Sequence, residues 1–299
     1  MIRFESFTKR FGAHRAVQDL TLSIAAGEVV ALLGPNGSGK STSLKAAAGL
    51  VHPTSGRVLA GDPGASTQDP EVRRLLSFLP QRVGFPDALT GQEVVDFFRR
   101  LRGATEASAR DLLRAASLNG AANRAVGGYS GGMIQRLGLA VAALPDARAF
   151  LLDEPTSSLD TAGIEVFYAL VERWRREGRA VLFSSHQLGD VERLADRIAI
   201  LVEGRLVADL GPRELAERLA ARGLMRVRVS ACPAGLLEAL APIAPDARWS
   251  GEEIVVPAPP ASRAAAIEVI REAGVEIRGL TSEEGRVEAL YTELVGRVT

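Results

Sequence analysis

Residues 34–42 have the residue types and the spacing of a phosphate-binding loop. They read GPNGSGKST and lie between a strand-like run, EVVALL, and a helix-like run, TSLKAAAG. Glycine lets backbone N–H groups wrap around phosphate oxygens, and a helix N-terminus adds about half a positive charge. Lys40 can then reach the β- and γ-phosphates, and the Ser41 hydroxyl can bind Mg²⁺. The predicted loop consists of Gly34, Pro35, Asn36, Gly37, Ser38, Gly39, Lys40, Ser41 and Thr42.

Two adjacent carboxylates follow an apolar run that is typical of a buried strand. The run AFLL at 149–152 is followed by Asp153 and Glu154, and a second run, AVLF at 180–183, is followed closely by His186. In open α/β sheets the ligand lies beyond the carboxyl ends of the strands, so these side chains are expected to face the phosphates. One carboxylate can hold Mg²⁺, and the other can polarise a water that attacks the γ-phosphate.

A second candidate anion site lies where Ser130, Gly131 and Gly132 precede a helix-forming run, MIQRLGLAVAAL. A hydroxyl, free backbone N–H groups and a helix start can bind an anion, although this site has no lysine. One nucleotide is already held by residues 34–42, so the second site is expected to serve a nucleotide on another subunit. Two chains arranged head to tail about a twofold axis would bury two nucleotides.

The composition argues against several classes of protein. The sequence has 36 acidic and 36 basic residues, so it offers no overall basic field and no nucleic acid partner is predicted. Its single cysteine, Cys232, excludes an internal disulfide framework and a Cys/His metal cluster. No uncharged apolar run approaches the roughly 20 residues that a membrane span needs. We therefore expect a cytoplasmic protein that is neither secreted nor membrane-spanning.

The elements that must position these residues fall into two blocks. Short strand-like runs alternating with helical patterns predict an α/β first block with a mixed sheet, interrupted by a helical insert at about 85–145. A helix-rich linker at 216–223 leads to residues 224–299. There the predicted order is βαββαβ, which indicates a small α+β ferredoxin-like domain, followed by a last helix at 286–298.

These motifs together resemble those of the ATP-binding subunit of ABC transporters, over residues 1 to about 215. The resemblance implies a P-loop NTPase fold of the ABC type, with GPNGSGKST as the Walker A loop, YSGGM as the signature and AFLLDE as the Walker B strand. It implies ATP and Mg²⁺ as ligands, with Asp153 toward the metal and Glu154 as the catalytic base. SSLD, which ends at Asp160, is similar to the D-loop of the family.

The resemblance also implies roles for three further residues. Gln81, in FLPQRV, stands where the family has a glutamine that contacts Mg²⁺ and the attacking water and forms the hinge of the helical insert. His186 resembles the switch histidine that contacts the γ-phosphate. Phe11 stands where the family stacks an aromatic ring on adenine, although a core phenylalanine of an N-terminal strand would look the same.

Two features point to a branch of the family. Met133 replaces the common glutamine of the signature, which resembles the drug-, ion- and polysaccharide-exporter branch, and that branch often carries a small C-terminal domain. Residues 72–103 are similar to the ATPase that serves copper-site maturation of nitrous oxide reductase. Neither feature specifies the cargo.

The resemblance implies an ATPase that closes on ATP as a dimer and drives a separate integral membrane permease from the cytoplasmic face of the membrane. The second chain is expected to be another copy, although a different ATPase chain would also serve. Two alternatives stay open at this point. One is a soluble mechanochemical ABC ATPase, which typically has two ATPase halves or long coiled-coil insertions. The other is a P-loop kinase, in which Glu154 would be unfavourable because it would promote transfer of the γ-phosphate to water instead of to a substrate.

Overall fold

The computed structural model of the protein describes residues 1–283, 285 and 287–296. The chain divides into two compact units, Met1–Asp209 and a second unit that begins at Leu210.

The first unit is built from strands and helices that alternate along most of its length. Its strands are β1 (Ile2–Phe11), β2 (His14–Ile24), β3 (Val29–Leu33), β4 (Ser55–Ala60), β5 (Ala65–Ser66), β6 (Leu76–Leu79), β7 (Ala149–Asp153), β8 (Ala180–Ser184), β9 (Arg197–Val202) and β10 (Arg205–Leu210), of which all but the last residue belong to this unit. Its helices are α1 (Lys40–Ala47), α2 (Pro70–Arg74), α3 (Gly91–Arg102), α4 (Glu106–Ala115), α5 (Gly131–Ala142), α6 (Thr161–Arg176) and α7 (Leu188–Leu194).

The strands form two sheets. One sheet has the order β2-β1-β4-β5, with antiparallel pairs, and the other has the order β10-β9-β3-β8-β7-β6. In the second sheet the pairs β3–β8, β3–β9, β6–β7 and β7–β8 are parallel. The α/β prediction with a mixed sheet is therefore confirmed, and α6 is the crossover between the parallel strands β7 and β8.

The central strands are apolar up to their last residues, Asp153 in β7 and Ser184 in β8, because both faces of the sheet are covered. Every residue of β3, β7 and β8 is buried, as expected for parallel strands packed between helices on one side and a second layer on the other. Since parallel strands end at one edge, residues that follow β3, β7 and β8 come together there. That edge carries the phosphate loop, Asp153 and the segment that contains His186.

The predicted helical insert at about 85–145 contains α3, α4 and α5, joined by two short 3₁₀ turns at Asn119–Ala121 and Val126–Gly128. Helix α3 begins with a capping box, in which Thr90 accepts a hydrogen bond from the Glu93 N–H and the Glu93 carboxylate accepts one from the Thr90 N–H. Sequence spacing alone indicated this helix start.

The second unit has its own core. Its elements are α8 (Pro212–Ala221), β11 (Leu224–Val229), α9 (Leu236–Leu240), β12 (Arg248–Ser250), β13 (Glu253–Pro257), α10 (Pro260–Glu272), β14 (Ile277–Glu283) and α11 (Val287–Gly296). From β11 to β14 the order is βαββαβ, and the strands pair antiparallel in the order β12-β13-β11-β14. Positions 286, 297 and 298 of the predicted last helix lie outside the described residues.

Strand β11 illustrates why this sheet has one buried face. Met225, Val227 and Val229 are buried in a cluster that also contains residues of α9 and α10, whereas Arg226 and Arg228 alternate with them on the opposite face. A period of two in hydrophobicity produces this arrangement, because successive side chains of a strand point to opposite faces.

Candidate functional site

The phosphate loop connects β3 to α1, and its backbone passes very close to the rest of the unit. A Cβ atom at Gly34, where φ is +149°, would lie 2.1 Å from the carbonyl oxygen of Leu201. A side chain there would force the loop away from β9, so glycine is needed for the loop to take this path.

The Lys40 side chain folds back over the first residues of the phosphate loop. Its ammonium donates hydrogen bonds to the carbonyl oxygens of Gly34, at 2.7 Å, and Pro35, at 3.1 Å. Burial lowers the pKa of the Lys40 ammonium, while the carboxylates of Glu154 and Asp153 act in the opposite direction. A desolvated cation held at the loop is suited to binding phosphate oxygens, because a low-dielectric setting strengthens its attraction to an anion.

A hydroxyl and a carboxylate converge beside the loop. Ser41 Oγ donates to Asp153 Oδ1 at 3.1 Å, and Ser184 Oγ donates to the same carboxylate oxygen at 2.8 Å. Two ligands of an octahedral Mg²⁺ ion with bonds of about 2.1 Å stand about 3 Å apart, so the spacing of Ser41 Oγ and Asp153 Oδ1 fits this ion. Within the described residues no cluster of three or more His, Cys, Asp or Glu side chains is placed to hold a metal. Mg²⁺ that is bound to substrate phosphates usually takes only one or two protein carboxylates, and Asp153 can supply one.

Glu154 lies at the centre of the site and contacts two of the other predicted residues. Its Oε2 accepts a hydrogen bond from Gln81 Nε2 at 2.9 Å, and His186 Nδ1 lies 3.4 Å from the same oxygen. The backbone of Glu154 is in the left-handed region, with φ at +47°, and its N–H donates to Ser184 Oγ. Gln81 and His186 are 105 positions apart in the sequence, and both lie against the Glu154 carboxylate.

An open cavity of about 410 Å³ adjoins the phosphate loop. Phe11 lines it and is 51% exposed, so its ring is available to a planar ligand rather than buried in the core. The full lining consists of Phe11, His14, Ala16, Asn36, Gly37, Gly39, Lys40, Ser41, Thr42, Gln81 and Glu154.

The predicted signature lies apart from the lining of this cavity. Helix α5 begins at Gly131, and Ser130 caps it by accepting a hydrogen bond from the Met133 N–H at 3.3 Å. Ser130 and Gly131 are exposed. A Cβ at Gly132 would lie 3.1 Å from the Ser158 carbonyl oxygen, so this glycine allows α5 to approach the loop after β7 closely.

The same loop ends at the N-cap of α6. Asp160 accepts a hydrogen bond from the Gly163 N–H at 2.9 Å, and Arg136 of α5 lies 3.6 Å from the Asp160 carboxylate. Gln135 of α5 donates to the Pro155 carbonyl oxygen at 3.1 Å. The start of α5 and the segment from Pro155 to Asp160 are therefore joined by several contacts.

Sequence reasoning missed some residues of the site. His14 and Ala16 line the cavity, and Ser184 hydrogen-bonds both Asp153 and the backbone of Glu154. The polar pair that follows the apolar run AVLF is the one signal that could have indicated Ser184.

Comparison with known proteins decides the family. The chain matches the ABC transporter family over residues 17–157. It is 40% identical over 212 residues to an uncharacterized ABC transporter ATP-binding protein, YxlF, of Bacillus subtilis strain 168, covering 69% of each chain. The chain belongs to the ABC transporter family of ATP-binding proteins. Members of this family hydrolyse ATP, so the kinase alternative is wrong.

Further relatives of this ABC ATPase bear names related to export or transport. It is 34% identical over 258 residues to the Nod factor export ATP-binding protein I of Burkholderia lata, covering 85% of this chain and 84% of that one. It is 32% identical over 209 residues to the lantibiotic transport ATP-binding protein SrtF of Streptococcus pyogenes, covering 70% and 90%.

Solved structures of the family share the fold of this ABC ATPase. The ATP-binding subunit of an ABC transporter superposes with a TM-score of 0.67 at 27% identity, covering 73% of this chain and 92% of that one. A dimeric ATP-binding cassette in a post-hydrolysis state, bound to ADP and Pi, has a TM-score of 0.65 at 28% identity, covering 71% and 99%. The predicted P-loop fold of the ABC type is thereby confirmed. Among the described residues no helix is both long and apolar enough to cross a bilayer.

Proposed function

We propose that this ABC ATPase works as a dimer of two copies that enclose two ATP molecules and drive a separate integral membrane permease of the exporter type. The observation that carries the proposal is the exposure of Ser130 and Gly131 at the start of α5, outside the lining of the chain's own nucleotide cavity. A hydroxyl and free N–H groups at a helix N-terminus suit a phosphate, and a second copy would supply it. The dimeric relative bound to ADP and Pi supports the same arrangement.

Each predicted residue then has a proposed role. Phe11 stacks on the adenine, the loop at 34–42 holds the phosphates, and Lys40 neutralises the β- and γ-phosphate charge. Ser41 and Asp153 would hold Mg²⁺, with Gln81 beside it, and the ion would stabilise negative charge on the phosphate oxygens. Across the dimer, the partner's nucleotide would be met by Ser130, Gly131, Gly132 and Asp160.

Hydrolysis in this proposal uses Glu154 as the general base. A water oxygen attacks the γ-phosphorus, the bond to the bridging oxygen of ADP breaks, and the Glu154 carboxylate accepts the proton of the water. The Gln81 amide, which donates to Glu154 Oε2, holds this carboxylate in place, and His186 faces the γ-phosphate. Release of phosphate lets the two copies part, since only the ATP-bound state favours closure.

The movement is proposed to pass to the permease through the helical insert at 85–145, hinged at Gln81, at the cytoplasmic face of the membrane. The relatives named for Nod factor export and lantibiotic transport support an exporter. The similarity of residues 72–103 to the copper-site maturation ATPase supports a second candidate, a permease that serves nitrous oxide reductase. Purification of the protein with its membrane partner, followed by transport assays with each cargo class, distinguishes the two.

The domain boundaries also form part of the proposal. We assign residues 1–215 to the ATP-binding domain, 216–223 to a linker and 224–299 to a C-terminal domain of the ferredoxin-like class. The compact units divide earlier, after Asp209, and helix α8 runs across the end of the proposed ATP-binding domain and into the proposed linker. The βαββαβ order and the strand order β12-β13-β11-β14 support that class. This domain contains none of the predicted site residues, and reinforcement of the dimer is the role proposed for it.

The Glu154→Gln variant tests the dimer mechanism. It keeps the shape of the side chain but removes the base, so we expect ATP hydrolysis to fall by about a hundredfold or more and an ATP-dependent dimer to accumulate. Size-exclusion chromatography with and without ATP measures the dimer. Glu165→Gln, an exposed glutamate of α6, is the matched control and is expected to turn over ATP normally. A Glu154→Gln protein that stays monomeric with ATP contradicts the proposal.

A further inference from the structure

A buried carboxylate that the proposed hydrolysis does not use lies directly behind the site. Asp190, on α7, is 3% exposed. It accepts hydrogen bonds from the hydroxyls of Thr156, at 2.5 Å, and Tyr168, at 2.8 Å. Its third partner is the Ser185 hydroxyl at 3.3 Å, which shares its proton with the Gln187 carbonyl oxygen at 3.1 Å. In the described part of the chain no cationic side chain comes within ion-pair distance of it.

Burial of the Asp190 carboxylate costs folding free energy. A buried charge loses its hydration, and removing a hydroxyl partner leaves a charged acceptor partly unsatisfied. Hydrogen bonds to an ionised acceptor are about twice as strong as neutral ones, so three of them can hold their donors firmly. This cost in folding free energy is explained if the hydroxyl groups that donate to Asp190 must be fixed in position.

The donors come from the two segments that carry the predicted catalytic residues. Thr156 is two positions after Glu154, and Ser185 directly precedes His186. Both hydroxyls donate to the same carboxylate oxygen, Asp190 Oδ2. One oxygen atom therefore joins the loop after β7 to the loop after β8.

Tyr168 differs from the other two donors. It lies on α6 and donates to Asp190 Oδ1, the oxygen that the loops do not use. Its hydroxyl therefore binds the carboxylate from the crossover helix, on the oxygen that accepts no hydrogen bond from the loops. This separation of Oδ1 and Oδ2 makes Tyr168 an internal control for the role of Oδ2.

A second link joins the same two loops on the nucleotide side. Ser184 Oγ accepts from the Glu154 N–H and donates to Asp153 Oδ1. With the loops joined at Ser184 and again at Asp190, His186 Nδ1 is held 3.4 Å from Glu154 Oε2.

We propose that Asp190 is a positioning residue for ATP hydrolysis, which fixes Glu154 and His186 relative to each other through Thr156 and Ser185. Asp190 is not among the residues that line the nucleotide cavity. The inference rests on the proposed roles of Glu154 and His186.

The Thr156→Val variant removes one loop hydroxyl and keeps the side-chain volume. We expect kcat for ATP hydrolysis to fall about tenfold or more with KM for ATP unchanged, because a misplacement of about 1 Å can cost up to about a hundredfold in rate. Ser185→Ala is expected to act in the same direction, and Thr156→Ser, which restores the hydroxyl, is expected to recover most of the rate. Tyr168→Phe is expected to lower the unfolding temperature but to leave kcat unchanged.

A spectroscopic measurement on the nucleotide-free protein reports position without turnover. The sequence has three histidines, so the imidazole NMR signal of His186 can be assigned by its loss in His186→Ala. We expect this signal to shift in Thr156→Val and to stay in place in Tyr168→Phe. Equal effects of the two variants on kcat, or an unmoved His186 signal in Thr156→Val, would overturn the inference.

The two proposals fail in distinguishable ways. If Glu154→Gln still hydrolyses ATP at the normal rate, the proposed base is wrong, whatever the variants of Thr156, Ser185 and Asp190 do. If Glu154→Gln is inactive while Thr156→Val retains its kcat, only the role of Asp190 is wrong. Asp190→Asn serves as a further variant. If the Asp190→Asn protein does not fold, the comparison of Thr156→Val with Thr156→Ser still tests the inference.

Discussion

Ser130 combines a structural and a proposed functional role that substitution can separate. Its hydroxyl caps α5, and the same hydroxyl is proposed to meet the partner's γ-phosphate. Aspartate is also a good N-cap, whereas alanine loses about 0.5–2 kcal/mol of helix stabilisation. A carboxylate, however, repels a phosphate.

For Ser130→Asp in the Glu154→Gln background, we therefore expect unchanged resistance to denaturant but no ATP-dependent dimer. Unfolding followed by circular dichroism and size-exclusion chromatography with ATP provide the two measurements. Thr90→Asp makes the same exchange at the cap of α3 and should leave dimerisation intact. An ATP-dependent dimer of the Ser130→Asp protein would show that Ser130 does not face a phosphate.

Tyr168 makes the stability of the protein depend on pH in the alkaline range. Burial, followed by the hydrogen bond to Asp190, raises the pKa of Tyr168 to about 12 from 10.0. The folded state therefore holds the phenolic proton more tightly than the unfolded state does, so this stabilisation is complete below pH 10 and is lost as pH rises toward 12.

We expect the free energy of unfolding of the wild-type protein to fall more steeply between pH 10 and pH 12 than that of Tyr168→Phe. Urea unfolding at a series of pH values measures the difference between the two proteins, in which the contributions of other tyrosines cancel. Parallel curves for the two proteins would contradict the shifted pKa.

The start of α5 has two glycines with different surroundings. A Cβ at Gly131 would have no neighbour within 4 Å, whereas a Cβ at Gly132 would lie 3.1 Å from the Ser158 carbonyl oxygen. Within one chain, only Gly132 is thus in a tight packing contact. Gly131 is explained if a ligand from outside the chain approaches it.

We therefore expect Gly131→Ala to stabilise the isolated chain by up to about 1 kcal/mol, because alanine restricts the unfolded state, while ATP-dependent dimerisation weakens. Gly132→Ala is expected to destabilise the chain itself by pushing α5 away from the loop that ends at Asp160. Denaturant midpoints and dimer fractions, compared for both variants in the Glu154→Gln background, give the answer. Normal dimerisation of the Gly131→Ala protein would contradict the explanation that a ligand from outside the chain approaches Gly131.

At the scale of the whole molecule, the nucleotide cavity lies within a single compact unit. All residues that line the nucleotide cavity lie in the first unit, and the second unit has its own hydrophobic cluster. We expect deletion of residues 224–299 to leave the affinity for a fluorescent ATP analogue unchanged.

The same deletion tests the proposed role of the C-terminal domain. If this domain reinforces the dimer, the truncated Glu154→Gln protein should need a higher protein concentration to dimerise with ATP, as measured by analytical ultracentrifugation. An unchanged dimerisation constant contradicts that role and leaves the ATP-binding domain as the sole source of the contact.

The sequence by itself determined the features that depend on neighbouring residues. The glycine pattern at 34–42, the apolar runs of β7 and β8, and the capping box of α3 are local signals, because backbone conformation and hydrophobic period act over a few residues. From these, the order of elements in both units and the positions of most site residues could be predicted. The edge of the sheet where they meet followed from the rule for parallel strands.

Only the tertiary structure decided which of these side chains touch. Gln81 and His186 share Glu154, Ser184 joins Asp153 to the Glu154 backbone, and Asp190 joins two loops through one oxygen. These contacts link residues far apart in the chain, so they depend on strand order and on the depth at which each loop packs. An aspartate on a short helix has the same local signature whether it faces solvent or three hydroxyls, and packing alone distinguishes the two.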